Sequence, residues 1–164
     1  MSDSCVESDG RSNLERRFIA RLRALTGPPH VDVWVDHPQL VTSVDVSDKV
    51  HDIVLRTLRV DFDGARAHVW GGNDPTGQLV GELDPTDPDW FDRDDGSTPE
   101  ACAEIAAAFF KSQGERLIDR EEWADGTAVK CRWILVDVGK ALVASAGIPT
   151  SPPTQVLRVS SDNP

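Results

Sequence analysis

A single α+β domain is what this sequence predicts, with a mainly antiparallel sheet (a meander plus C-terminal strands) and two helices packed on it. Three observations carry that expectation. Segments of helical and strand periodicity follow one another as helix, several strands, helix, then more strands. Asp63-Gly64 stands between two alternating apolar runs, where a hairpin turn belongs. Evenly spaced strand–helix units, which a doubly wound or barrel fold requires, are missing.

The first helix is expected over Ser12 to Thr26. Ser12 and Glu15 have capping-box spacing, Leu14, Phe18, Leu22 and Leu25 form one stripe, and Gly27-Pro28-Pro29 ends the run. Its other face carries Arg16, Arg17, Arg21 and Arg23, read as a solvated face that offsets acidic neighbours. Val31 to Val35 alternates as a strand, His37-Pro38 breaks it, and Leu40 to Val46 follows as a second short strand. From Val50 to Phe62 the chain is rich in β-formers, and the apolar phase shifts between Val54-Leu55 and Leu58-Val60-Phe62, as at a bulge. Asp63-Gly64 then leads into Ala65-Ala67-Val69, Gly71 to Gly77 reads as a longer turn, and Gln78 to Leu83 completes the meander.

Thr98-Pro99-Glu100 opens the second helix with a cap, a first-turn proline and a carboxylate at the positive end of the dipole. Cys102, Ile105, Ala106 and Phe109 form its buried stripe. Arg116 to Trp123 and Val129 to Val138 are expected as strands joined at Asp125-Gly126. The second has apolar residues in both phases and is expected to be central and covered on both faces. Ala141 to Ser145 follows. The domain is thus drawn over residues 12–146, between an acidic, unstructured tail (1–11) and a proline-rich one (147–164) in which Gln155 to Val159 adds a short edge strand.

Composition narrows the function classes. The 164 residues hold 28 Asp and Glu against 17 Lys and Arg, a net charge of -11. Such a field repels phosphate backbones and anionic membranes and attracts basic partners or cations, which argues against nucleic acid and membrane as partners. The N-terminus has no basic stretch followed by an apolar run, and no apolar run approaches bilayer-spanning length, so a cytoplasmic protein is expected. Cys5, Cys102 and Cys131 are odd in number and widely spaced. They suggest neither a disulfide framework nor, by pattern, a zinc cluster.

No catalytic or cofactor motif emerges, and the expectation is of no cofactor and no catalytic residues. Gly71 to Gly77 lacks the Lys-Ser/Thr ending and the following helix of a phosphate loop. The acidic run from Asp92 departs from EF-hand spacing, with Gly96 in the fifth place and Ala103 in the twelfth. His30, His37, His51 and His68 are scattered without metal-ligand spacing, no GxSxG elbow is present, and no metal is expected.

One segment stands out. Asp84-Pro-Thr-Asp87-Pro-Asp89-Trp90-Phe91-Asp92-Arg93-Asp94-Asp95-Gly96 surrounds two adjacent aromatics with aspartates. Large rings are costly to leave in water, so either they fold back and pin the loop to the body or they anchor a partner that the carboxylates attract. Asp87, Asp89, Trp90, Phe91, Asp92, Asp94 and Asp95 are therefore the candidate partner-binding residues. The function expected is a non-catalytic module that binds a basic protein, comparable in charge and size, though in no motif, to an immunity protein or inhibitor. The rival is a small enzyme or ligand binder with a pocket between sheet and helices, lined by Trp34, Trp70, Trp133 and a histidine.

Overall fold

In the computed structural model, which describes residues 11–27, 31–36, 39–94 and 98–159, Ser12 caps α1 (Asn13–Thr26) as its spacing predicts. Its hydroxyl accepts from the Glu15 amide, and the Glu15 carboxylate accepts from the Ser12 amide. The expected N-terminal tail (bar Arg11), His30, His37-Pro38 and Asp95-Gly96 lie outside the described residues.

The strands form two antiparallel sheets. The first orders β1 (Asp32–Asp36), β2 (Gln39–Asp48), β3 (Ile53–Asp63), β4 (His68–Asp74) and β5 (Phe91–Arg93) sequentially. After α2 (Pro99–Gly114) come β6 (Ile118–Asp125), β7 (Ala128–Leu135), β8 (Lys140–Ala144) and β9 (Gln155–Val159), arranged β8-β7-β6-β9. This is the α+β architecture the element order implied, with the helices packed against the strands. Among the described residues no helix is long and apolar enough to cross a membrane.

Alternation decides which face each residue takes. Leu40, Phe62 and Val69 lie in one cross-strand row and Val44 and Leu58 in another; all are buried. Phe18 of α1 stacks on Phe62 with centroids 4.3 Å apart, and Phe109 of α2 meets Phe91 at 4.9 Å. Each such ring or Leu contributes about 1.5–3 kcal/mol by leaving water. The expected basic face of α1 is used where it meets α2: Arg17 grips Glu100 through two hydrogen bonds, and Arg21 pairs with Glu104. The phase shift in β3 is a bulge, since the register with β2 slips between Val46 and Ser47 and leaves Leu55 extra.

Three local expectations give way. Gly71-Gly72 is not a turn but the interior of β4, and both glycines are buried. The Asp63-Gly64 turn is longer than two residues, because β4 starts only at His68 and Ala67 adopts a left-handed φ of 53°. Residues 78–83 do not form a strand: Gly77, Leu79 and Gly81 have φ of 62°, 57° and 81°, and a backbone that turns at alternate residues cannot run a ladder. The alternating apolar residues Leu79 and Leu83 are buried all the same, as plugs in a segment that crosses the back of the first sheet.

That back face is polar yet closed. Arg59 and Asp61 are 3% and 2% exposed, and two guanidinium nitrogens, Nε and Nη2, donate to the two carboxylate oxygens. The crossing segment seals them, and its Gly81 carbonyl accepts from Arg59. In the second sheet β7 is central, but only its Cys131, Trp133 and Leu135 face is fully buried; the Arg132 and Ile134 face remains half-covered. There Arg132 stacks over Trp123, whose indole N–H reaches the Ser151 carbonyl of the proline-rich segment.

Candidate functional site

The acidic segment is fixed by its own side chains. The Asp84 carboxylate accepts from the Thr86 amide and hydroxyl, and Asp87 accepts from the Asp89 amide, so two short turns follow one another. Asp89 then points inward. Its carboxylate meets Arg56 at 3.1 Å and both oxygens meet Arg116 at 2.8 Å, while Arg116 also grips Asp137. Burial lowers the Arg56 pKa, an effect Asp89 partly offsets; the Asp137 hydrogen bond raises that of Arg116. Around this corner the charges nearly cancel.

Trp90 and Phe91 are half-buried. Phe91 lies over Gly71 toward Phe109 on the helix side, and Trp90 sits against Gly72 on the opposite side. The missing side chain at Gly71 makes room for the Phe91 ring, whereas at Gly72 there is space for a Cβ beside Trp90. Asp92 is 41% exposed along its side chain and holds Nε2 of His68 at 2.5 Å, and Asp94 is exposed. The outward carboxylates of the segment are thus Glu82, Asp84, Asp92 and Asp94; Asp87 and Asp89 face the body, and Asp95 lies outside the described residues. Of the tryptophans considered as pocket lining, Trp34 and Trp70 share one row of the first sheet through Val41 and Asp61, whereas Trp133 belongs to the second sheet.

A second polar centre lies where the β2–β3 turn meets the inner face of the second sheet, and no sequence pattern announced it. Strand alternation puts Ile118, Arg120 and Glu122 on the same face as their β7 partners Leu135, Trp133 and Cys131. Two charged residues therefore point inward. Asp48, 1% exposed at the end of β2, meets them: one oxygen accepts from Arg120 Nη1 and from the Trp133 indole, each at 2.8 Å, and the other from the Val50 amide at 2.9 Å. Arg120 Nε donates to Glu122 at 2.6 Å, and the other Glu122 oxygen accepts from Gln155 of β9. His51, on the same turn, places Nδ1 3.3 Å from Asp48 and its ring edge-on to Trp133. Single ligand atoms of His51, Glu122 and Cys131 lie within 4.8 Å of one another. The signal that could have revealed this centre was Arg120 and Glu122, both in phase with the apolar Ile118 of a strand.

The electrostatics follow from these contacts. Burial pushes the Asp48 carboxyl up, but hydrogen bonds from Trp133 and Arg120 outweigh it and hold it below the usual range. Gln155 and then Arg120 lower Glu122 in the same direction, while burial, reinforced by Glu122, raises the Cys131 thiol. A carboxylate whose folded pKa is depressed stabilises the fold fully above its unfolded value, and that contribution is lost as pH falls through the folded one. The urea midpoint is accordingly expected to stay level from about pH 7 to 5 and to drop below about pH 4. Glu122→Gln is expected to make that drop shallower; an unchanged acid slope would refute the assignment.

No family model, curated protein or solved structure matches the chain.

Proposed function

We propose that the protein is a non-catalytic binding module, acting in the cytoplasm, whose acidic crossing segment docks a basic protein partner in the manner of an immunity protein or inhibitor. The observation that carries this reading is the shape of residues 82–94. Internal ion pairs and Asx turns hold the segment in one conformation, and its remaining carboxylates at Glu82, Asp84, Asp92 and Asp94 point outward around the half-buried Trp90. A surface ordered before binding loses less entropy on docking than a loose acidic loop. The net charge of -11 adds long-range attraction for a cationic partner. Cys131 is a free, buried thiol, which suits a reducing compartment.

The candidate residues divide accordingly. Asp92, Asp94 and Trp90 make the contact, joined by Glu82 and Asp84, while Asp87 and Asp89 hold the segment in place and Phe91 pins it toward Phe109. Affinity capture from the source cells tests this. The wild type and an Asp32→Lys control are expected to retain the same basic protein, and Glu82→Lys/Asp94→Lys to lose it, with retention by the wild type falling as salt rises. Capture indifferent to the double reversal, or no basic protein retained at all, would remove the proposal.

A further inference from the structure

We infer that His51, Glu122 and Cys131 form a zinc site with a fourth coordination position open to solvent. An imidazole, a carboxylate and a thiolate are the ligand types zinc takes, and three protein ligands with one vacant position are its open arrangement. Their ligand atoms, within 4.8 Å of one another, need to close to the roughly 3.3–3.7 Å that tetrahedral zinc bond lengths imply. Closure of about 1 Å falls to side-chain rotation, chiefly of His51, which sits on a turn with its side chain 34% exposed.

The surrounding shell is an independent observation. Ligating histidines usually give their other ring N–H to a carboxylate, and ligating carboxylates are themselves hydrogen-bonded. Asp48 stands 3.3 Å from Nδ1 of His51 and is held by Arg120, Trp133 and the Val50 amide. Arg120 Nε fixes one oxygen of Glu122 and leaves the other, at which Gln155 is the sole hydrogen-bond partner among the described residues. Gln155 lies on the exposed edge strand and can yield or share that oxygen. The Cys131 sulfur makes no hydrogen bond among the described residues and is buried beside Glu122.

Charge balances as well. Binding of Zn²⁺ releases the Cys131 thiol proton to solvent, so thiolate and Glu122 carboxylate neutralise the ion, while Arg120 neutralises Asp48. Without the ion, Arg120 bridges Asp48 and Glu122. The open position faces outward past His51, where water or a donor atom from a bound molecule completes the shell.

Cobalt(II) and zinc titrations of the full chain test the site. The wild type is expected to bind one equivalent of cobalt, with a thiolate-to-cobalt charge-transfer band that zinc abolishes. Zinc at a hundredfold excess over its Kd is expected to raise Tm by about 5–10 °C. Cys131→Ser removes the band. His51→Gln, at a partly exposed position that leaves the apo fold intact, weakens binding at least tenfold and removes the Tm shift, whereas Asp94→Asn behaves as wild type. Absence of the charge-transfer band in folded wild type would overturn the site, as would His51→Gln binding zinc as tightly as the wild type. Partner capture does not enter these readouts, so either proposal can fail alone.

Discussion

Asp48→Ala is expected to be the most damaging single substitution in the molecule, costing about 3–5 kcal/mol in urea denaturation, the usual penalty for breaking a buried ion pair from one side. A domain of this kind has only about 5–15 kcal/mol in total. The reason lies in what Asp48 joins. Its carboxylate accepts from Arg120 on β6, from Trp133 on β7 and from the turn that follows β2, so one group clasps the two sheets. Alanine leaves the Arg120 guanidinium half-satisfied and the Trp133 N–H without an acceptor, at 8% and 4% exposure. Asp48→Asn keeps an acceptor oxygen but no charge, and is expected to lose less. Adding Arg120→Met to Asp48→Ala removes the stranded cation, so the double variant should fall short of the summed single costs by at least about 1 kcal/mol. Strict additivity, or a cost of Asp48→Ala below about 1 kcal/mol, would show that apolar packing alone joins the sheets.

What was legible in the sequence was local. Ser12, Thr98 and Pro99 mark helix starts because a cap acts within one turn of its own residue, and the β3 bulge shows because phase is a property of consecutive positions. Contacts distant in sequence left no such mark. Asp48 meets Arg120 and Trp133 across 72 and 85 residues, and His51, Glu122 and Cys131 come from a turn and two strands with no common spacing. His51, one of four histidines scattered without ligand spacing, thus lies beside a buried carboxylate. The acidic segment was legible as a feature but not in its division of labour, because the same residue type is used inward at Asp89 and outward at Asp94. Its burial depends on Arg56 and Arg116, which lie 33 residues before and 27 after Asp89. The misread glycine pair has the same origin, since glycine signals a turn unless the ring that fills its place is known.

That pair supplies the second large effect, and it separates two adjacent residues. A Cβ at Gly71 would stand 2.6 Å from the Phe91 ring, 2.7 Å from the Arg59 carbonyl oxygen and 2.9 Å from Val60. The ring could swing away at the cost of its contact with Phe109, but the carbonyl belongs to the backbone of a central strand and cannot. Gly71→Ala is therefore expected to cost about 2–3 kcal/mol, within the range of overpacked cores, and to lower Tm by about 5–10 °C. At Gly72 the nearest atom, Cα of Trp90, would be 3.6 Å away, ordinary van der Waals contact, and φ lies outside the left-handed region. Gly72→Ala should be neutral, or stabilising by up to about 1 kcal/mol through the stiffer unfolded chain. Thermal melts of the two variants side by side decide the matter. If both are tolerated, Phe91 is not wedged against β4, and the crossing segment lacks the fixed shape on which its binding role depends. If only Gly71→Ala fails, Gly71 is the cradle of the acidic segment, and the same variant should also lose the partner that Glu82 and Asp94 recruit.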